Sequence, residues 1–441
     1  MLCQQESEKL ELFLDSCDDG FFYLSHASIL VRLSGYTFLF DPVLAEPPHF
    51  GSWLFYPLMY YSDRLRDVDF CIVSHQHKDH FDINFLRLLS KHTKLLIVSG
   101  RPQLEALLDK ANISYKLLPE LEVINFIEDI SMYCVNHESN GIDSAMCIKN
   151  SQLSIYHGND CYLSIEKTSR IRYDFGHIDI ACIPFAYIHW YPFLVNNISE
   201  KEKELESSQL VSSYMDLALD MIRSLDPSIT IPFGANMFYS DGLDTAHNKC
   251  VLNPLDFKDY AEKNAKDIAS SILPLFAGAH IFRDNIDSKN SLKIVDGMLS
   301  REELLSGFTK YLSDIKQNNN LKSPLSSLKP LSSSDIISFL KIRMSRAFEV
   351  LPKLKHYIYI SSSDNENYIL QISLNELDVR FSELSYSSIS FHHFILTPIA
   401  FNAFCSGQFS LNELIAASMF TLTREPNIYN QQVLKYVNNF I

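Results

Sequence analysis

Three imidazoles and a carboxylate fall within six residues of this chain, in the run Ser74-His75-Gln76-His77-Lys78-Asp79-His80. Neutral imidazole nitrogens and carboxylate oxygens bind zinc or iron well, and a catalytic ion keeps one position open for water. The spacing suits two ions better than one. In an extended segment side chains alternate, so His75 and His77 can point one way while Asp79 and His80, entering a helix, turn toward a neighbouring point. A solvated polar loop is the plainer reading, but it does not explain why the run sits between an apolar strand and an amphipathic helix.

The elements that must position these groups are legible around them. Asp69-Phe70-Cys71-Ile72-Val73 reads as a buried strand leading into the run, and a helix is expected near 82–91. Strands are expected at 21–24, 28–33, 37–41, 94–98, 130–136, 144–149, 152–157, 178–183 and 228–233, with a helix near 101–111. Strands alternating with helices in this way predict a layered α/β structure.

Further upstream, Ser25-His26-Ala27-Ser28-Ile29-Leu30-Val31-Arg32-Leu33 and Thr37-Phe38-Leu39-Phe40-Asp41-Pro42 read as an opening hairpin. Together with the His-x-His-x-Asp-His run they make the chain resemble the metallo-β-lactamase superfamily. The similarity is to the branch containing the UlaG-like lactonases and N-acyl phosphatidylethanolamine phospholipase D, and more weakly to the metallo-β-lactamase-like region of CMP-sialic acid hydroxylase. The resemblance covers residues from about 20 to 265 and implies an αββα sandwich with metals at the sheet edge.

It also implies a ligand set. His75, His77 and His137 would hold one divalent ion, Asp79, His80 and His247 a second, and Asp160 would bridge them. His137 ends the strand expected over 130–136, Asp160 closes Ser154-Ile155-Tyr156-His157-Gly158-Asn159-Asp160, and His247 follows the strand Ser228 to Phe233. A water or hydroxide between the ions would be the nucleophile, and Asp79 would be the catalytic proton shuttle. Zinc is favoured and iron is the alternative.

Three histidines beside these motifs are candidates for orienting ligands or touching substrate: His26, His157 and His189, the last with aromatic packing as the stronger reading. His49 is expected to serve its loop, and His92, His177, His280, His356, His392 and His393 to be structural or surface residues. The aromatic segment Phe50 to Tyr61 is read either as a substrate wall or lid or as packing on the sandwich. Residues 195–224 carry a charge run followed by apolar positions suited to one helix face.

The 441 residues, 46% hydrophobic and 21% charged, suffice for two domains: a metal-binding catalytic domain over 1–270 and a smaller α+β domain over 336–441, joined by a linker and helical connection over 271–335. In the second domain, segments near 356–360, 368–372 and 377–381 read as strands, and 395–404 and 411–420 as helices. A formal charge of −15 without a basic stripe argues against nucleic acid as partner. Nine cysteines without a Cys-x-x-Cys pair predict free thiols. The polar start without an apolar core and the absence of a membrane-length apolar run predict a cytoplasmic location with no membrane span.

These readings converge on a binuclear metal-dependent hydrolase acting on an ester, amide, lactone or phosphodiester in a small molecule. A di-iron oxygenase acting on a small metabolite is the alternative. It would need a separate electron-donor protein, because the paired Rieske pattern of Cys-x-His and Cys-x-x-His is absent from the sequence. A non-catalytic binding protein on the same fold is a third possibility.

Overall fold

The computed structural model describes residues 4–6, 8–137, 143–240, 248, 251–284, 291–317, 324–386, 390–428 and 430–441. Two sheets face each other across a shared apolar core. The first has eight strands in the spatial order Ser291–Val295, His280–Asp284, Gly20–Ser25, Ser28–Leu33, Tyr36–Phe40, Phe70–Val73, Lys94–Val98 and Lys116–Leu118. Pairing is antiparallel as far as Tyr36–Phe40 and parallel beyond it. The second has six: Ile124–Ile127, Ile130–Asn136, Ser144–Lys149, Ser154–His157, Ile180–Pro184 and Ile229–Phe233, the last three parallel.

Period-two alternation explains the layering. Ile29, Val31 and Phe38 from the first sheet meet Met132, Cys134, Ile148 and Ile155 from the second. Tyr133, Val135 and Cys147 point the other way, onto the helices Ile165–Asp174, Glu200–Leu225 and Pro254–Asn264. Leu30 and Leu39 likewise leave the inner core for the helix Glu8–Asp15. The result is the expected αββα sandwich. The charge run after residue 198 begins the long helix, capped reciprocally by Ser199 and Glu202, and Met215, Ala218, Met221 and Ile222 form its buried face.

The sheet does not end at residue 270, where the sequence reading placed the domain boundary. His280–Asp284 pairs with residues 20–22 and so covers what would otherwise be the open edge of the sheet. Arg283 ties it to the second sheet through Asp179 at 2.8 Å. The helix expected near 82–91 is only Ile83–Leu86. Residues 395–397, expected to be helical, belong to a strand end and a cap, because the strand Ser390–Leu396 precedes the helix Pro398–Cys405. Of the second expected helix, 411–420, only Leu411–Ala416 is helical, and Phe420 begins the strand Phe420–Glu425.

The C-terminal unit is a five-stranded sheet in the order Val379–Glu383, Asn365–Ser373, His356–Ser362, Ser390–Leu396 and Phe420–Glu425. Its core takes residues from the helices Ser333–Val350, Pro398–Cys405, Leu411–Ala416 and Gln431–Phe440, and also Trp190, Val195 and Ile198 from the sandwich. The backbone reinforces that join: Asn196 N–H donates to Leu422 O and Leu422 N–H to Leu194 O, both at 2.7 Å. Among the described residues, cysteines 17, 71, 134, 147, 182 and 405 are free thiols, as expected. Among the described residues, no helix is long and apolar enough to cross a membrane.

Candidate metal centre

His75 follows the buried strand Phe70–Val73, so a central strand with both faces covered delivers the first ligand candidate. Its Nε2 lies 2.9 Å from His77 Nδ1. The chain then turns, with His80 N–H and Phe81 N–H both donating to His77 O, which swings Asp79 and His80 to a second point. Asp160 arrives from the far sheet. Gly158 has room for no side chain, since a Cβ there would lie 2.6 Å from Cys182 O and 2.9 Å from Pro184 Cδ. Asn159, at φ 51°, is buried and donates to Ser144 O at 2.6 Å, which turns Asp160 into the site.

Among the described residues two groups of potential ligand atoms result, each within 4.8 Å: His75, His77 and Asp160, and His26, Asp79 and His80. Asp160 joins them, its Oδ2 3.7 Å from His75 Nε2 and its Oδ1 3.4 Å from His80 Nε2. Its side chain is 37% exposed while His75 and His80 are fully buried, so the site opens to solvent at the shared carboxylate. His80 Nε2 is buried with no hydrogen-bond partner, although it faces Asp79 and Asp160. An orphaned imidazole nitrogen between two carboxylates is the donor environment a divalent cation requires, and the residues present fit one.

The electrostatics agree. Burial opposes charge on His80, but Asp160 and Asp79 outweigh it and hold its pKa well above the ordinary value. Burial also opposes ionisation of Asp79, yet His80, His26 and His49 keep its carboxyl well below the usual range. His75, buried beside His80 and His77, is pushed well down and is neutral, the form that ligates.

Asp41, which sequence reasoning did not place in the site, is fully buried and accepts from His80 Nδ1 at 2.9 Å, Ser74 Oγ at 2.6 Å and Ser74 N at 2.7 Å. It fixes the tautomer that turns His80 Nε2 inward. Its signal was an acidic residue closing an apolar strand in Phe40-Asp41-Pro42. Asp143 was also missed: its Oδ1 lies 3.5 Å from His75 Nε2, and its carbonyl accepts from His137 N–H at 3.0 Å.

His49 needs correction. Expected to serve its loop, it is 4% exposed, with Nε2 3.2 Å from Asp79 Oδ1, because the chain after Pro47 folds inward instead of across the surface. His26 does touch the site, with Nε2 3.3 Å from Asp79 Oδ2 and its ring stacked on Phe55 at 4.6 Å. His157 supports from outside: it donates to Ala27 O at 3.1 Å, between Phe40 and Phe233. His189 packs against Tyr187 and Trp190. His137 directly follows its strand, outside both ligand groups, and His247 lies outside the described residues.

The aromatic segment is mostly internal. Trp53, Leu54 and Phe55 are buried, the first and last against Met237 and Tyr239, and Leu54 against Phe308. A helix from the predicted linker, Arg301–Gln317, supplies Phe308.

Comparison with known proteins matches residues 21–233 to the model described as the β-lactamase superfamily domain. That match supports the superfamily resemblance read from the sequence, and the two facing sheets have the metallo-β-lactamase fold expected of it. A Mycolicibacterium smegmatis protein whose description is Rieske 2Fe-2S iron-sulfur protein is 25% identical over 224 residues, 47% of this chain and 42% of that protein. The chain thus spans less than half the length of this curated relative. N-acyl-phosphatidylethanolamine-hydrolyzing phospholipase D 1 of Caenorhabditis elegans is 36% identical over 72 residues, 15% of this chain and 20% of that protein. Among solved structures, Igni18, a metallo hydrolase from Ignicoccus hospitalis, is similar with 13% identity and a TM-score of 0.41, covering 63% of this chain and 98% of that one. CmlA, a diiron β-hydroxylase from Streptomyces venezuelae, has 16% identity and a TM-score of 0.40, covering 57% of this chain and 51% of that one.

Proposed function

We propose that the chain is a binuclear metal-dependent hydrolase of small molecules carrying an ester, amide, lactone or phosphodiester bond. The observation that carries this is Asp160, whose two oxygens face His75 and His80 and so join the two ligand groups. His75 and His77, completed by His137, would hold one divalent ion; Asp79 and His80, completed by His247, would hold the other, with Asp160 shared. When bound, the ions supply a water of lowered pKa and an electrophilic contact for the bond under attack.

The protein's own residues do the rest. Asp41 locks His80 so that Nε2 faces the centre. Asp79 is kept ionised by the imidazoles around it, ready to take a proton at its carboxylate and return it to a leaving group. The buried Trp53 and Phe55 behind His26 keep that side of the site dry.

A second reading, an oxygen-activating di-iron enzyme, is favoured by the relatives described as Rieske iron-sulfur proteins, which share 47% of this chain. The 441 residues carry no Rieske pair, so electrons would come from a centre outside them.

Elemental mass spectrometry on anaerobically purified protein, with its visible spectrum, separates the two. About two zinc per chain and no colour is the expected result, and ester, lactone and phosphodiester panels follow. About two iron with absorption that bleaches on reduction replaces hydrolysis with the oxygenase. In either case His77→Ala is expected to lose metal and activity together while keeping the fold; unchanged metal stoichiometry would remove His77 from the ligand set.

A further inference from the structure

His49 and Phe50 are consecutive left-handed residues, at φ 46°, ψ 46° and φ 61°, ψ 23°. Crowding at Cβ makes that region rare for bulky L residues, so two in succession persist only where the surroundings hold them. Both side chains are held, and in different parts of the molecule. His49 turns inward, its ring 4.2 Å from Trp53 and its Nε2 3.2 Å from Asp79 Oδ1. An ionised carboxylate only accepts, so this Nε2 carries the hydrogen, and Nδ1 is left buried without a partner. Phe50 turns to the C-terminal unit. Its ring meets Phe409 edge-on at 5.0 Å and packs against the core built on the five-stranded sheet. Ser52 closes the turn, donating to His49 O from N at 3.1 Å and Oγ at 2.8 Å.

We propose that the C-terminal unit positions the second half of the metal site: Phe409 anchors Phe50, and the anchored turn holds His49 against Asp79 Oδ1, leaving Oδ2 aimed with His80 Nε2. Oδ2 and His80 Nε2 are 3.4 Å apart. The step from Phe50 to His49 is one peptide bond in a conformation that relaxes if either side chain is released. A carboxylate freed at Oδ1 can rotate about its terminal torsion, which is soft. His49, Phe50 and Phe409 are thus positioning residues, and the accessory unit bears on the centre without contributing a ligand.

This rests on the metal-centre reading, and the test separates the two. Full-length protein stripped of metal is titrated with zinc against a chromophoric chelator, giving a stoichiometry and an affinity for each ion. Wild type that takes up no zinc overturns the metal centre itself. With two ions bound, Phe409→Ala is expected to weaken the second ion on the order of 10-fold, the scale on which residues that orient ligands act. His49→Ala should do the same and His49→Gln, which keeps a donor near Nε2, should restore most of the loss. In the His49→Ala background Phe409→Ala should then have no further effect. An equal loss in both backgrounds, or none in either, overturns the proposal. If Phe409→Ala does not fold by circular dichroism, Phe409→Leu, which keeps bulk and loses the ring edge, is read in the same cycle.

Discussion

Asp41 and His80 form the pair on which the chemistry of single residues turns. Asp41 takes His80 Nδ1–H at 2.9 Å while also accepting from both Ser74 N and Oγ, so its carboxylate cannot swing away. Asp41→Asn presents an amide where an acceptor is needed, and metal affinity is expected to fall on the order of 10- to 100-fold in a chelator competition. Equal affinity would mean that His80 needs no such partner. The raised pKa of His80 gives a second expectation. Without metal it is the charged partner of Asp160 and Asp79, so a cation entering must displace its proton. Metal uptake near pH 7 should release about one proton per chain from this residue, read with an indicator dye in weak buffer. Affinity accordingly rises with pH, and uptake without proton release in wild type would contradict the assignment.

At the scale of elements, the turn after strand Ser154–His157 shows how a backbone constraint becomes a site. Gly158 runs so close to Cys182 O that a Cβ would sit 2.6 Å from it, and the neighbouring strand Ile180–Pro184 is a central parallel member with no freedom to retreat. Gly158→Ala is expected to cost about 1–3 kcal/mol through overpacking, measured by chemical denaturation. The same shift should displace Asp160 and lower metal occupancy. A stable variant with full occupancy would show that this turn has more slack than its contacts indicate.

Across the whole molecule, the C-terminal unit carries its own pH response. His356 Nε2 lies 2.8 Å from His392 Nδ1, and His393 bonds Ser361 and Tyr386 at 2.8 and 2.9 Å, so of the expected structural or surface roles these three take the structural one. Burial lowers all three, to about 4, about 3 and about 4 respectively. The unfolded chain binds these protons near pH 6.5 and the folded one does not. Between those values the unfolded state holds more protons, so stability is full above about pH 6.5 and is lost as pH falls toward 4. Thermal melts from pH 7.5 to 4.5 should show the decline, and His392→Gln should flatten part of it between pH 6.5 and 5, above the range where carboxylates dominate. A slope unchanged by that variant would place the response elsewhere.

What the sequence by itself determined is what depends on near neighbours. The alternation of apolar residues marked most of the sandwich strands, and the run from His75 to His80 brought its own donors because ligands two to five positions apart need only a strand end and a turn to converge. What only the tertiary structure decided is what long chain separations bring together. His26 reaches Asp79 across 53 residues, Asp41 reaches His80 across 39, and His49 reaches Asp79 across 30. None of these pairs has a period or a spacing to read. The strand His280–Asp284 was illegible for the same reason, since it is defined by the partners on either side, Gly20–Ser25 and Ser291–Val295, whose open hydrogen bonds it fills. Local pattern fixes which side chains leave one element together; packing free energy across the whole chain fixes which elements meet, and therefore which carboxylate each imidazole finds.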